Sequence, residues 1–265
     1  MATDLFEADG TWRKGQIIMD NVQVYNCSQK DTYKAAVRFE GTLGGNSRVS
    51  NCAVHNGLDW GISLENANNI QLINNTFVGY RAVGMQMDKI RNVTVTGNFI
   101  GDVFGRNIDF LNSAIDKEAC VAYSSYHSNA KGSPSYEVTF TDNIAAGCMY
   151  AGFVAPGHEC GDDEQQSFRN NVAHSSAGYG AYLYPNPAHK TTKKCFEISH
   201  FAAYKNKEPC VVTFLNTEEH RAHDLTCIDN EKGISLNTAE MERDEVLISL
   251  SDSYIFGQTE SEDCP

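Results

Sequence analysis

Three carboxylates recur at near-constant spacing early in the chain: Glu40, Glu65 and Asp88, separated by 25 and 23 residues. A companion row takes the same steps through Arg38, Ser63, Gln86 and Asp109. If the chain returns to one point at that interval, adjacent carboxylates stand about 5 Å apart and alternate ones about 10 Å. Like charges in register repel, so such a column wants a cation, a substrate or free solvent. Calcium fits the first case, since the carboxylate oxygens of Glu40, Glu65 and Asp88 are ligands of the kind it takes. A glycosidic bond fits the second: adjacent rungs match the spacing of a retaining acid/base pair, and alternate ones approach the inverting range. In the third case the acidic residues are a solvated strand edge that keeps a long sheet from pairing with others. Asp109 extends the same face.

A second group lies further along. Tyr182 and Tyr184 fall on one repeat, with Tyr150, Tyr179 and Tyr204 on its neighbours and His158, His174, His189 and His200 nearby. Aromatic rings with polar tips suit sugar rings, and tyrosine equally fills half-buried strand positions. The acidic stretch from His158 to Glu164 lacks the Asp-x-Asp-x-Asp-Gly order of a calcium loop. No Gly-Lys-Ser/Thr phosphate loop and no Gly-x-Ser-x-Gly nucleophile elbow occurs.

The elements that must position these side chains are short strands. Asn69-Ile-Gln-Leu-Ile-Asn-Asn75 is answered by Asn92-Val-Thr-Val-Thr-Gly-Asn98, and Leu72 to Val95 is 23 residues, as is Met85 to Ile108. Each run alternates apolar with polar residues, the period of a strand. One strand type recurs at Val24, Val49, Leu72, Val95, Phe140, Phe168, Ile198, Ala222 and Leu250. The other recurs at Phe39, Leu64, Met87, Phe110, Phe153, Leu183, Phe214 and Leu236. Both registers show a double-length gap at the same place, so the coil between Leu111 and Tyr136 is degenerate or replaced by an excursion. Paired registers of this kind predict an all-β chain, a right-handed parallel β-helix of about ten coils. Its boundaries are an N-terminal flank 1–16, the β-helix 17–256 and a C-terminal flank 257–265. Residues equivalent in the repeat become vertical neighbours. Cys27, Cys52, Asn75 and Asn98 then share one column, where asparagines would hydrogen-bond along the axis.

Composition narrows the function classes. With Lys+Arg 21 against Asp+Glu 34, the net charge is −13, which argues against a nucleic-acid partner and an anionic membrane surface. No apolar run is long enough to span a membrane. The start has neither the basic n-region nor the apolar h-region of a signal peptide. Nine cysteines is a high number for this length, and no Cys-x-x-Cys or Cys/His spacing resembles a zinc site. Three glycosylation sequons begin at Asn26, Asn74 and Asn92. These features point to a piece of a longer secreted or membrane-anchored chain. For the cysteines the favoured pair is Cys148 with Cys160. Cys195 with Cys210 and Cys27 with Cys52 are open alternatives, and an odd number leaves one thiol over.

The second half carries Asp142-Asn-Ile-Ala-Ala-Gly-Cys-Met-Tyr-Ala-Gly-Phe-Val-Ala-Pro-Gly-His-Glu-Cys160. It continues with Asn170-Asn-Val-Ala-His-Ser-Ser-Ala-Gly-Tyr-Gly180, Cys195-Phe-Glu-Ile-Ser-His-Phe-Ala-Ala-Tyr204 and Asp229-Asn-Glu-Lys-Gly-Ile-Ser-Leu236. Through these blocks the chain, over residues 17–256, resembles the parallel β-helix region of fibrocystin and fibrocystin-like (polycystic kidney and hepatic disease) proteins, with the cell-surface and cell-migration-inducing hyaluronidases as distant relatives. The resemblance implies a disulfide-bonded, glycosylated piece of a large surface or ciliary protein, and it supplies no catalytic residues. Pectin-acting β-helix enzymes share the architecture, but their Gly-His-Gly and Arg-Ile-Lys signatures are missing: Glu159 follows His158. The expectation is an extracellular structural or adhesive module without a resident cofactor, calcium being the one candidate. Its partners would be glycans, other extracellular proteins or further coils of a parent chain. The alternative is a lyase or hydrolase acting on an acidic polysaccharide.

Overall fold

The computed structural model describes the chain except for residues 31–33, 105–118, 124–135, 156, 161–167, 184–194, 216–218, 239–246 and 258–265. Successive turns lie in parallel register. Val49 pairs with Leu72, Leu72 with Val95, Val95 with Phe140 and Phe140 with Phe168. Among the described residues there are only strands, most of them in two parallel sheets of 12 and 11 strands. Inward columns of Val, Leu, Ile, Met and Phe merge into one continuous apolar core.

Each coil has three faces, where the repeat in the sequence suggests two. Between the face of Leu72 and that of Leu64 runs a short strand such as Thr76–Tyr80, which pairs with Ala53–His55 before it and Phe99–Val103 after it. This face hides in the sequence because three to five residues hold barely one alternation. Its outward positions form two columns. One runs Gln23, Ala53, Thr76, Phe99, Ile144, Val172, Ala202, Thr226, Tyr254; the other runs Tyr25, His55, Val78, Gly101, Ala146, His174, Tyr204, Ile228, Phe256.

The third face also corrects the first rung. Val24 belongs to it, paired with Val54, while Met19 takes the place beside Val49. Cys27 therefore leaves the Cys52 column. The expected rung at Ile108 and Phe110 lies outside the described residues, and the place beside Met85 is taken by Val121 of Ala119–Tyr123. That strand also pairs with Ala151–Ala155, so a rung of the stack stands inside the double-length gap. Further on, Ala181 pairs with Val211, one residue from the expected Val212. The N-terminal stretch is tied to the stack: Ala2 bridges in parallel to Phe39. The Asp4 carboxylate accepts the Gly15, Leu43 and Gly44 amides at 2.7, 2.9 and 3.1 Å.

The bends explain why the chain is rich in Asn, Asp and Gly. One bend column is Asn21, Asn51, Asn74, Gly97, Asp142, Asn170, all with positive φ. A side chain pays a steric penalty there that Gly avoids and Asn or Asp lessens by local hydrogen bonding. Gly97 has a second reason, since a Cβ there would lie 2.3 Å from Asn74 Oδ1. Just inside this column runs the asparagine ladder, Asn75, Asn98, Asn143 and Asn171, each Nδ2 donating to the next Oδ1 at 2.9–3.1 Å. Cys52 caps it by donating its amide to Asn75 Oδ1.

Candidate functional site

The acidic column exists as a column. Glu40 pairs in register with Glu65, and Glu65 with Asp88. Beside it Arg38, Ser63 and Gln86 are likewise neighbours, and the arginine answers the repulsion. Arg38 Nη2 lies 3.0 Å from Glu40 Oε2 and 4.0 Å from Glu65 Oε2. Asp109 lies outside the described residues, and the position after Gln86 is Ala122. Among the described residues no three His, Cys, Asp or Glu side chains come close enough together to hold a metal ion. A guanidinium, rather than an oxygen cage, faces these carboxylates.

The tyrosines are arranged otherwise than as an open platform. Tyr182 is 3% exposed. Its outward column, Ala122, Val154, Tyr182 and Val212, forms a second apolar cluster on the outside of the sheet. Tyr150 and Tyr179 pack edge-on at 5.4 Å, and Tyr182 closes the group at 6.2 and 5.7 Å. Burial, then the neighbouring phenols and the Glu208 carboxylate, push the Tyr150 hydroxyl well above its usual range. Burial and Glu208 raise Tyr179 too. Tyr182 is thus packed among its neighbours rather than open to a ligand. Tyr184 lies outside the described residues.

A cluster that the sequence reading passed over lies near the last coils. His223 Nδ1 is 2.8 Å from Asp224 Oδ2 and its Nε2 is 3.1 Å from Glu197 Oε1. His200 approaches Asp224 at 3.7 Å, and the two imidazoles meet edge to face at 6.0 Å. Glu197 is 5% exposed. Burial lowers the His223 pKa, but hydrogen bonds to Asp224 and Glu197 outweigh it, and the net shift is upward. His200 and His223 are 23 residues apart in the sequence, but the coil step here is 24, so His223 stands in register with Ser199 and the spacing does not announce the cluster.

The cysteines pair differently from the expectation. The bonds are Cys120–Cys148, Cys160–Cys195 and Cys210–Cys227, with Cα separations of 5.4, 5.3 and 5.7 Å. Cys148 bonds to Cys120 because both reach the core where Ala119–Tyr123 crosses the end of Ile144–Cys148. Proximity along the chain to Cys160 counts for nothing there. Cys195 likewise goes to Cys160 and Cys210 to Cys227, while Cys27 and Cys52 are free thiols among the described residues. The sequon asparagines Asn26, Asn74 and Asn92 are all exposed with positive φ, the first two at bends and Asn92 within the strand Met85–Thr96. Asn92 Nδ2 donates to Asn69 Oδ1 at 2.7 Å.

Compared with known proteins, residues 13–196 match the family model described as "Right handed beta helix region". No curated protein matches the sequence. Among solved structures, PfbA, a surface adhesin of Streptococcus pneumoniae, is similar at 14% identity and a TM-score of 0.39. The similarity covers 91% of this chain, which spans 57% of the length of that one.

Proposed function

The chain belongs to the right-handed β-helix family, and from that premise we propose that it is a structural and adhesive module of an extracellular or cell-surface protein. One observation carries the reading: three disulfides cross-link the stack. Such bonds persist in oxidising compartments and are rare in the reducing cytosol. The exposed sequon asparagines, Asn26, Asn74 and Asn92, fit the same compartment as glycan carriers. Partners of the module are glycans or other extracellular protein chains, further coils of a parent chain among them. The narrower likeness to fibrocystin belongs to this proposal and rests on the residue blocks of the second half.

The enzymatic alternative needs convergent polar groups with perturbed carboxylates in a concave site. Here the best-aligned carboxylates, Glu40 and Glu65, are met by Arg38, which fits a strand edge kept soluble. The test uses immobilised extracellular-matrix proteins and glycans, with hyaluronan, pectin and alginate incubated in parallel to score depolymerisation. Retention without cleavage is the expected result. Cleavage that disappears in Asp88→Asn, or retention on none of the probes, would overturn the reading.

A further inference from the structure

The short-strand face between Gln23 and Phe256 differs from every other surface of the rod. Its two outward columns contain no Asp, Glu, Lys or Arg, in a chain holding 34 acidic and 21 basic residues. An outward strand face normally alternates polar residues with the buried ones. Here Phe99, Ile144 and Val172 follow one another in one column, and His174, Tyr204 and Phe256 stand in the other. The face is open to solvent: Ile144 is 39% exposed, Tyr204 38% and Phe256 46%. Charges flank the two columns at positive-φ positions: Asp102, Lys205 and Asp229 directly after the second, and Asp142, Asp224 and Asp252 two residues before the first. An exposed apolar run of this kind, rimmed by polar residues, is of the size that often serves a contact.

We propose that this face binds an uncharged polysaccharide laid along the rod axis, a deepening of the adhesive reading above and dependent on it. The dimensions favour a slender occupant. The face is roughly 40 Å long by 10 Å wide, on the order of 400 Å², against about 800 Å² per partner in a stable protein interface. That is too narrow for a second copy of this chain and suits a linear polymer. The charges favour an uncharged one. The face offers no cation to a carboxylate or sulfate, and a net charge of −13 repels a polyanion. Pyranose rings carry apolar C–H faces that pack on Phe99, Ile144 and Val172, while their hydroxyls meet the polar tips of His174 and Tyr204. Those two rings are held in place, stacked at 4.7 Å with planes 5° apart.

The experiment passes the intact chain through affinity gels containing hydroxyethylcellulose, mannan or dextran, with hyaluronan and alginate as polyanions, and follows self-association by sedimentation. The expected result is retardation by at least one uncharged polymer, insensitive to salt. The double variant Ile144→Lys/Val172→Glu places opposite charges on register neighbours, so the strands still pair. It should weaken retardation roughly tenfold or more, because a charge desolvated against a sugar is costly. Thr139→Glu, exposed on another face, should leave retardation unchanged, and circular dichroism confirms that each variant is folded. Retardation unchanged in the double variant, or loss of it in Thr139→Glu, would overturn the inference. Retention by the polyanions alone would also overturn it while leaving the wider glycan reading standing. A self-association abolished by the double variant would show the occupant to be a second copy, and would again retire the polysaccharide.

Discussion

His223 stands between two carboxylates, one of them, Glu197, buried. Its folded pKa is raised, so the proton is held more tightly in the native state than in the unfolded chain. Stability from this pairing is therefore fully present below the unfolded value and is lost as pH rises through the folded one. Melting temperature should fall as pH increases past the ordinary imidazole range, about 6.5, and His223→Gln should flatten that slope. Thermal melts between pH 5 and 9 read it directly, and an equal slope in the variant would contradict the assignment. At this scale the sequence was uneven. Glu40, Glu65 and Asp88 are neighbours because spacing alone decides register. Tyr182 is buried because Tyr150 and Tyr179 pack against its ring, and no spacing reports that. Glu197 and His223 meet on a diagonal between strands, so neither falls in the other's sequence column.

The asparagine ladder is the element that most directly joins coil to coil. Asn98 alone accepts from the Asn75 amide and side chain at 3.0 Å, and donates to Leu72 O and Asn143 Oδ1 at 2.9 Å. Asn98→Ala would orphan the buried Asn75 amide, a group costing about 1–3 kcal/mol, while the Leu72 carbonyl keeps its place in the parallel ladder. The expected loss in urea denaturation is thus about 1–3 kcal/mol, and a loss below ~1 kcal/mol would mean that water or a shifted strand replaces the ladder. The repeat in the sequence showed Asn75 and Asn98 as its first two rungs. Asn143 and Asn171, and the separate pair Asn206 and Asn230, needed the register across the excursion. The disulfides show the same limit: none joins two positions equivalent in the repeat, so no spacing in the sequence announces them.

The whole molecule is a one-dimensional stack, so its stability is the sum of coil terms and nearest-neighbour interfaces. Interior coils are buttressed on both sides, as Ile62–Ile73 is by its neighbours before and after. At the far end Leu247, Leu250, Tyr254 and Ile255 stand exposed although Leu250 and Ile255 continue the core columns. Amide exchange should accordingly be slowest across Ile62–Thr96 and fastest across Leu247–Phe256, as local opening spreads inward from the terminal coil. Uniform protection from end to end would show the stack to open only as a unit. Charge is also distributed at this scale: Glu40, Glu65 and Asp88 share one column, and the two outward columns of the short-strand face hold no Asp, Glu, Lys or Arg.

What the amino-acid order determined by itself was the repeat. Alternation in short runs and a return interval of 23 residues were enough for the β-helix, the vertical pairing of Leu72 with Val95, the acidic column and the start of the ladder. Local periodicity carries that much because register in a parallel stack depends only on how many residues make a turn. The tertiary structure decided which side of each strand is covered, which cysteines meet, and that a third face exists with its charges removed. Those are contacts between parts of the chain that share no period, set by how excursions and bends pack in three dimensions.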